Sequence, residues 1–436
     1  MILKGLKKWL KPGLGIKRWV IIGVIGILIF SIGISNIVQN LMIKLLNKHH
    51  ISTVLILIGI LLIVIGVNKS FNSIIGVICK NKSYGDISKE KVNKLLYKDK
   101  ILNKRPKVVV IGGGTGLSIL LRGLKEYTTN ITAIVTVADD GGGSGVLRED
   151  LGMLPPGDIR SCILALANTE PSMERILQYR FTEGNLKGQS FGNLFVAAMN
   201  EVYGNFETAI KEMSNVLAVT GKVLPMTLED VTLYAKLENG DVIIGESSIP
   251  EKNKELNSRI ENVFIKPKNP KPLDEAIQAI READCILLGP GSLYTSVIPN
   301  LLVNDIAKEI KNAKAIKIYA TNVMTQPGET DGYSVLDHID AITKSTKKDL
   351  VDYVITNTES IPQGTLDKYY KDGAKQLIIT KEEEEVLEKR NIKVIKDNLI
   401  DIKKDYIRHD ADRLSKIIID LTITNLEREK INRAEA

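Results

Sequence analysis

At 436 residues, with 44% hydrophobic and 25% charged side chains, the chain has a globular composition and the length for two or three domains with proper cores. Its formal charge of +7 comes from a basic excess in the first 107 residues, and its 13 Tyr and 7 Phe are scattered, which excludes a nucleic-acid groove or an aromatic stacking platform in the remainder. The three cysteines, Cys79, Cys162 and Cys285, are odd in number and far apart; they exclude a disulfide framework, fit a reducing compartment and, with no CxxC or His-rich spacing, exclude a structural zinc site.

The chain opens with Lys4, Lys7, Lys8, Lys11, Lys17 and Arg18 and no acid before residue 19. Residues 19–38 are almost wholly apolar, long enough to cross the hydrocarbon layer as a helix, and residues 51–67 form a second apolar run. Residues 1–70 therefore read as a transmembrane helical hairpin. Lysines are dense before the first run and after the second, whereas the loop between has Lys44 and Lys48 beside His49 and His50. The positive-inside bias puts both termini in the cytoplasm, which predicts a multi-pass protein of the cytoplasmic membrane with its main domain in the cytoplasm. Residues 71–106 are a basic linker, read either as lying on anionic lipid or as solvated.

From Lys107 strands alternate with helices. Val108, Val109, Val110 and Ile111 are β-branched with no polar alternation, as in a parallel strand covered on both faces. Gly112, Gly113 and Gly114 then allow a tight turn, which Thr115 and Gly116 carry into a helix over residues 117–125. Strand, glycine turn and helix make an anion seat of the phosphate type. Leu117 stands where a dinucleotide fingerprint needs its third glycine, and no Walker lysine follows. A second strand, residues 131–137, ends in the loop 138–145, whose Asp139 and Asp140 suit a divalent cation or a ribose beside that seat.

Asp158 reads equally as an N-cap, and Arg160 equally as a surface residue or a bidentate phosphate ligand. Residues 188–194 form a polar turn before a helix, where Ser190 and Asn193 either cap it or bond a base or phosphate. A polar approach and the lack of an activating histidine reject a nucleophile elbow at Ser190. Asn239-Gly240 marks a β-hairpin in an insertion over about 230–266. The pattern resumes with a strand over residues 281–288 running into Gly289, Gly291 and Ser292, a second strand-to-glycine-loop unit. Residues 315–319 form a strand leading to a polar loop that begins with Thr321 and Asn322. His338 reads as structural and His409 as incidental. Residues 350–355, 376–379 and 392–394 are weaker strands, and a packing helix covers about 410–427. The prediction is an α/β domain over residues 107–425 with a doubly wound, mostly parallel sheet, and a tail over 426–436.

GGGTG at 112–116, ADDGGGSG at 138–145, LPPGDIR at 154–160, GQSFGN at 188–193, GPGSLYTS at 289–296 and NVMTQPGETDGY at 322–333 closely resemble, in order, the YvcK branch of the YvcK/CofD-like proteins. Gln189 departs from the histidine expected there, and the membrane hairpin lies outside the common core. The resemblance implies a Rossmann-like fold. It also implies a regulatory factor that binds UDP-sugars such as UDP-N-acetylglucosamine and is associated with gluconeogenic growth and cell shape. The CofD branch instead transfers a phospholactyl group with magnesium. Carried over, Gly112, Gly113, Gly114, Thr115, Gly116, Gly289, Gly291 and Ser292 would hold phosphates, with Arg160 beside them. Asp139 and Asp140 would be metal- or substrate-side acids, catalytic only in a transferase. Ser190, Asn193 and Asn322 would contact base or sugar. The expectation is UDP-sugar binding without turnover by a membrane-tethered regulator, ahead of a Mg-dependent transferase and an NAD(P) oxidoreductase. Cell-wall or cell-shape proteins and a second copy of the chain are the protein partners that reading admits.

Overall fold

The computed structural model describes residues 102, 104–403 and 406–435. The hairpin expected over residues 1–70 and nearly all of the linker lie outside the described residues. Among the described residues no helix is long and apolar enough to cross a membrane.

The strands follow in chain order as β1 (Val108–Gly112), β2 (Ile131–Val135), β3 (Lys222–Pro225), β4 (Thr232–Leu237), β5 (Val242–Ile244), β6 (Ile260–Lys266), β7 (Cys285–Leu288), β8 (Ile316–Ala320), β9 (Tyr353–Asn357), β10 (Lys393–Asp397), β11 (Ile400–Lys403) and β12 (Tyr406–His409). Seven of them form one parallel sheet in the order β10-β9-β8-β7-β1-β2-β3. Unbroken apolar sequence explains the middle of that sheet: every residue of β1 and β7 is buried, as strands with neighbours on both sides and cover on both faces require. The chain builds outward from β1 to β3, returns to the other side of β1 at β7, and builds outward again to β10. That reversal puts the topological switch point between β1 and β7, where Ile111 pairs with Leu288 at the carboxyl ends. The Rossmann-like architecture is thus observed.

The helix after β1, Gly114–Leu124, buries Leu117, Leu120, Leu121 and Leu124, spaced to make one apolar face. It packs between the helix Gly157–Leu166 and the C-terminal helix Ala411–Glu435. Gly123 is where the last of these crosses: a Cβ there would sit 2.4 Å from the Ala411 carbonyl oxygen and 2.6 Å from Ser415 Oγ. Backbone cannot yield as a side chain does, so Gly123→Leu is expected to cost about 3 kcal/mol, read as a lowered urea midpoint at unchanged slope.

The expected β-hairpin is present as β4 and β5, and β6, which also pairs with β4, extends it to a three-stranded antiparallel sheet in the order β5-β4-β6. Other expectations are corrected. Arg281 lies in the last turn of the helix Asp274–Glu282, which buries Ala276 and Ile280 one turn apart, so the strand starts only at Cys285. Residues 376–379 hold a single bridge, Met324 with Gln376, and no strand. The C-terminal helix continues to Glu435 through most of the expected tail.

Candidate functional site

Both glycine turns leave the sheet at the switch point. Gly113 is extended, Gly114 takes a left-handed φ of 67°, and the helix begins there with no side-chain cap. The second turn follows β7, with Gly289 at φ 77° and its N–H donating to the Ile111 carbonyl at 2.9 Å. The two turns touch. A Cβ on Gly116 would lie 3.0 Å from the Pro290 oxygen, and one on Gly291 would lie 3.3 Å from the Gly113 oxygen. Buried Asn300 ties them together, since its Nδ2 donates to the Gly112 carbonyl at 3.1 Å and to the Ser296 carbonyl at 2.7 Å. Asn300→Leu would remove both bonds in a dry setting and is expected to cost roughly 2–4 kcal/mol by thermal denaturation.

Side chains from later loops complete the second turn. Asn322 Oδ1 accepts from the Gly291 N–H at 3.3 Å. Ser292 Oγ accepts from the Thr295 N–H at 3.2 Å, capping the π-helical turn Leu293–Val297, and donates to Glu329. Against the first turn lies Asp158. The N-cap expected there is not formed: the cap position of its helix is Pro156, and the Asp158 carboxyl packs against the first glycine turn instead. A Cβ on Gly113 would meet Asp158 Oδ2 at 2.5 Å. A carboxyl of the chain itself therefore stands against the expected anion seat.

Arg160, Ser190 and Asn193 form a second group beside it. Ser190 Oγ accepts from Arg160 Nη1 at 3.0 Å and from the Asn193 N–H at 3.1 Å, capping the helix Phe191–Tyr203. Asn193 Nδ2 reaches Ser144 Oγ at 3.5 Å, which links this group to the loop carrying the aspartates. Three buried polar atoms here have no protein partner: Arg160 Nε, Gln189 Oε1 and Asn193 Oδ1. Such atoms are suited to a ligand or ordered water.

The adjacent aspartates part company. Asp139 Oδ1 accepts from the Gly141 N–H at 2.9 Å, while Asp140 Oδ1 accepts from the Ser247 N–H at 2.9 Å and so ties the loop to the insertion. Among the described residues no three His, Cys, Asp or Glu side chains form a group that could hold a metal ion. The two aspartates alone do not make a protein-built magnesium cage.

The strongest electrostatic feature was not singled out from the sequence. Burial pushes the Asp158 carboxyl up to about 7, with nearby Asp139 adding to the rise. Glu246 is pushed up to about 8 by burial and then by Asp139, and Glu329 to about 7 by burial. Asp139 is itself raised by burial. Titration near neutrality inside a cleft marks functional sites. Glu329 stood within a loop recognised as unusually polar, but Glu246 follows a short strand in the insertion with nothing local to distinguish it. His409 is not incidental: it is half-buried and its Nε2 lies 2.9 Å from the Thr321 carbonyl oxygen, next to Asn322.

The family described as 2-phospho-L-lactate transferase CofD matches residues 108–400. The chain is 47% identical over 321 residues to the gluconeogenesis factor of Bacillus subtilis, covering 73% of this chain and 99% of that one. To the gluconeogenesis factor of Listeria innocua it is 42% identical over 327 residues, covering 75% and 98%. A crystal structure of a UPF0052 family member from Bacillus halodurans superposes with a TM-score of 0.68 at 47% identity, covering 71% of this chain and 98% of that one.

Proposed function

This chain belongs to the CofD family, among the gluconeogenesis factors, and we propose that it is a membrane-tethered regulator whose ligand is a nucleotide-sugar, UDP-N-acetylglucosamine or a close relative. The observation that carries this reading is the contact between the two glycine turns at the switch point between β1 and β7. Ligands of open α/β sheets lie in that crevice, and turns without Cβ atoms let backbone N–H groups approach a diphosphate. In this reading residues 112–116 and 289–292 hold the phosphates with Arg160 beside them, while Ser190, Asn193 and Asn322 contact base or sugar. The unpartnered atoms of Arg160, Gln189 and Asn193 support a polar ligand there. Occupancy would report precursor supply to gluconeogenic growth and to the machinery of cell shape and wall synthesis.

Calorimetry of the full chain with UDP-N-acetylglucosamine, GDP and NADH, followed by a search for product, tests the proposal. Binding of the first without turnover is expected. The rival reading is a transferase, favoured by near-neutral carboxyls able to exchange protons with a substrate alcohol. Sustained product formation that disappears in Asp139→Asn would decide for it. The proposed topology is checked with a reporter fused after Ala436, which should be active only in the cytoplasm.

A further inference from the structure

A cavity of about 210 Å³ lies between the insertion and the loop that follows β8, lined by Asn253, Ser258, Arg259, Glu329, Asp331 and Tyr333 among others. Asn253, on the helix Ser248–Leu256, is only 3% exposed. Its Nδ2 donates to the Gly328 carbonyl at 2.9 Å, so the orientation of the amide is determined by a partner that can only accept. Oδ1 is therefore a true acceptor, and it is buried without a donor. Glu329 is buried at the same cavity, and Asp331 stands at its rim, with Oδ2 accepting from the Gly328 N–H at 2.6 Å.

Arg259 is the counterpart. Its guanidinium lies 5.4 Å from the centre of the Tyr333 ring, and that ring is held by a hydroxyl contact of 2.8 Å with Tyr294. Among the described residues Arg259 forms no ion pair with a carboxylate, so its fork of donors is available. The cavity thus combines one available cation with two carboxyls and an orphaned neutral acceptor. A simple anion would satisfy Arg259 but face both carboxyls and leave Asn253 Oδ1 unpaired. A simple cation would do the reverse. A molecule carrying an ammonium and a carboxylate matches all four groups.

We propose that this cavity is a second ligand site, separate from the nucleotide seat, that binds a free α-amino acid as its zwitterion. The carboxylate pairs with Arg259, and the ammonium donates among Asn253 Oδ1, Glu329 and Asp331. The volume equals that of about seven waters, which suits an amino-acid backbone with a small or medium side chain. The site does not depend on the identity of the nucleotide ligand. Glu329 also receives the Ser292 hydroxyl, which puts the occupant one residue from the second glycine turn.

The test is calorimetry and thermal shift on the full chain with each of the twenty standard amino acids, and with N-acetyl-L-alanine and L-alaninamide as probes lacking one charge. At least one amino acid should bind, and neither blocked derivative should. Arg259→Gln should weaken binding about tenfold or more, with part of the affinity restored in Arg259→Lys, since a bidentate charged pair is reduced first to none and then to a point charge. UDP-N-acetylglucosamine binding should be the same in Arg259→Gln as in the parent, which separates this site from the nucleotide seat. No binding by any of the twenty, or equal binding by the blocked derivatives, would overturn the proposal.

Discussion

Gly113→Val is expected to lower nucleotide-sugar affinity at least about 100-fold, a loss of about 2.7 kcal/mol of binding free energy. The cause is space, not backbone conformation. Gly113 is extended, a conformation open to valine, but its Cβ would lie 2.5 Å from Asp158 Oδ2 and 2.8 Å from Thr136 Cγ2. Thr136 is buried in the core and Asp158 is half-buried beside it, so neither can withdraw far. The turn must then shift away from residues 289–292, and its N–H groups lose their common aim. Gly152→Ala is the control: Gly152 has φ 61° with nothing within 4 Å of its Cβ position and lies outside the proposed seat. That change should cost about 1 kcal/mol of stability through the left-handed backbone alone, with affinity unchanged. Calorimetry and urea titration of the two variants read the difference.

The second large effect concerns pH. Asp158 is pushed up to about 7, Glu246 to about 8 and Glu329 to about 7, each by burial first. In the unfolded chain the same carboxyls ionise near pH 4, so between about pH 4 and 8 the native state holds more protons than the unfolded one. Their contribution is fully present below the unfolded values and is lost as pH rises through the folded ones. Each group lowers stability by about 1.4 kcal/mol per pH unit while it is protonated only in the native state. The urea-derived stability should therefore fall by several kcal/mol between about pH 5 and pH 8.5, and Asp158→Asn should flatten part of the slope. A diphosphate adds negative charge beside these groups, so its affinity should rise as pH falls from about 8 to 6. Stability that climbs over the same interval would contradict the assignment of these carboxyls.

Much of the fold was legible because its signals are local. The apolar run of Val108–Gly112, the glycines after it and the repeat of that unit at Cys285–Leu288 announced two parallel strands with two turns at their ends. That the turns touch follows from β1 and β7 being neighbours, a pairing the alternation of elements implied but no single stretch stated. Asp158, Glu246 and Glu329 were not recognised because their chemistry depends on burial by distant segments. Glu246 arrives from the insertion to face Asp139 more than a hundred residues earlier, and no local spacing records such an encounter. Asp158 misled for a different reason. An acid two residues after a proline resembles a cap, yet its carboxyl packs against the turn that opens the helix after β1. The strand misread over Arg281 shows the third limit, since a short helix face and a strand edge look alike over a few residues.

The position of β1 also bears on how the chain is made. It is the first strand of the sheet to leave the ribosome, and one of its two flanks stays bare until residues some 177 positions later are synthesised, as the bond from the Lys107 N–H to Asp284 records. The cover over Gly123 comes later still, from the last helix of all. A nascent fragment ending before residue 411 would show apolar surface to chaperones, so release from the ribosome, not emergence of the glycine turns, is the moment at which this domain can close.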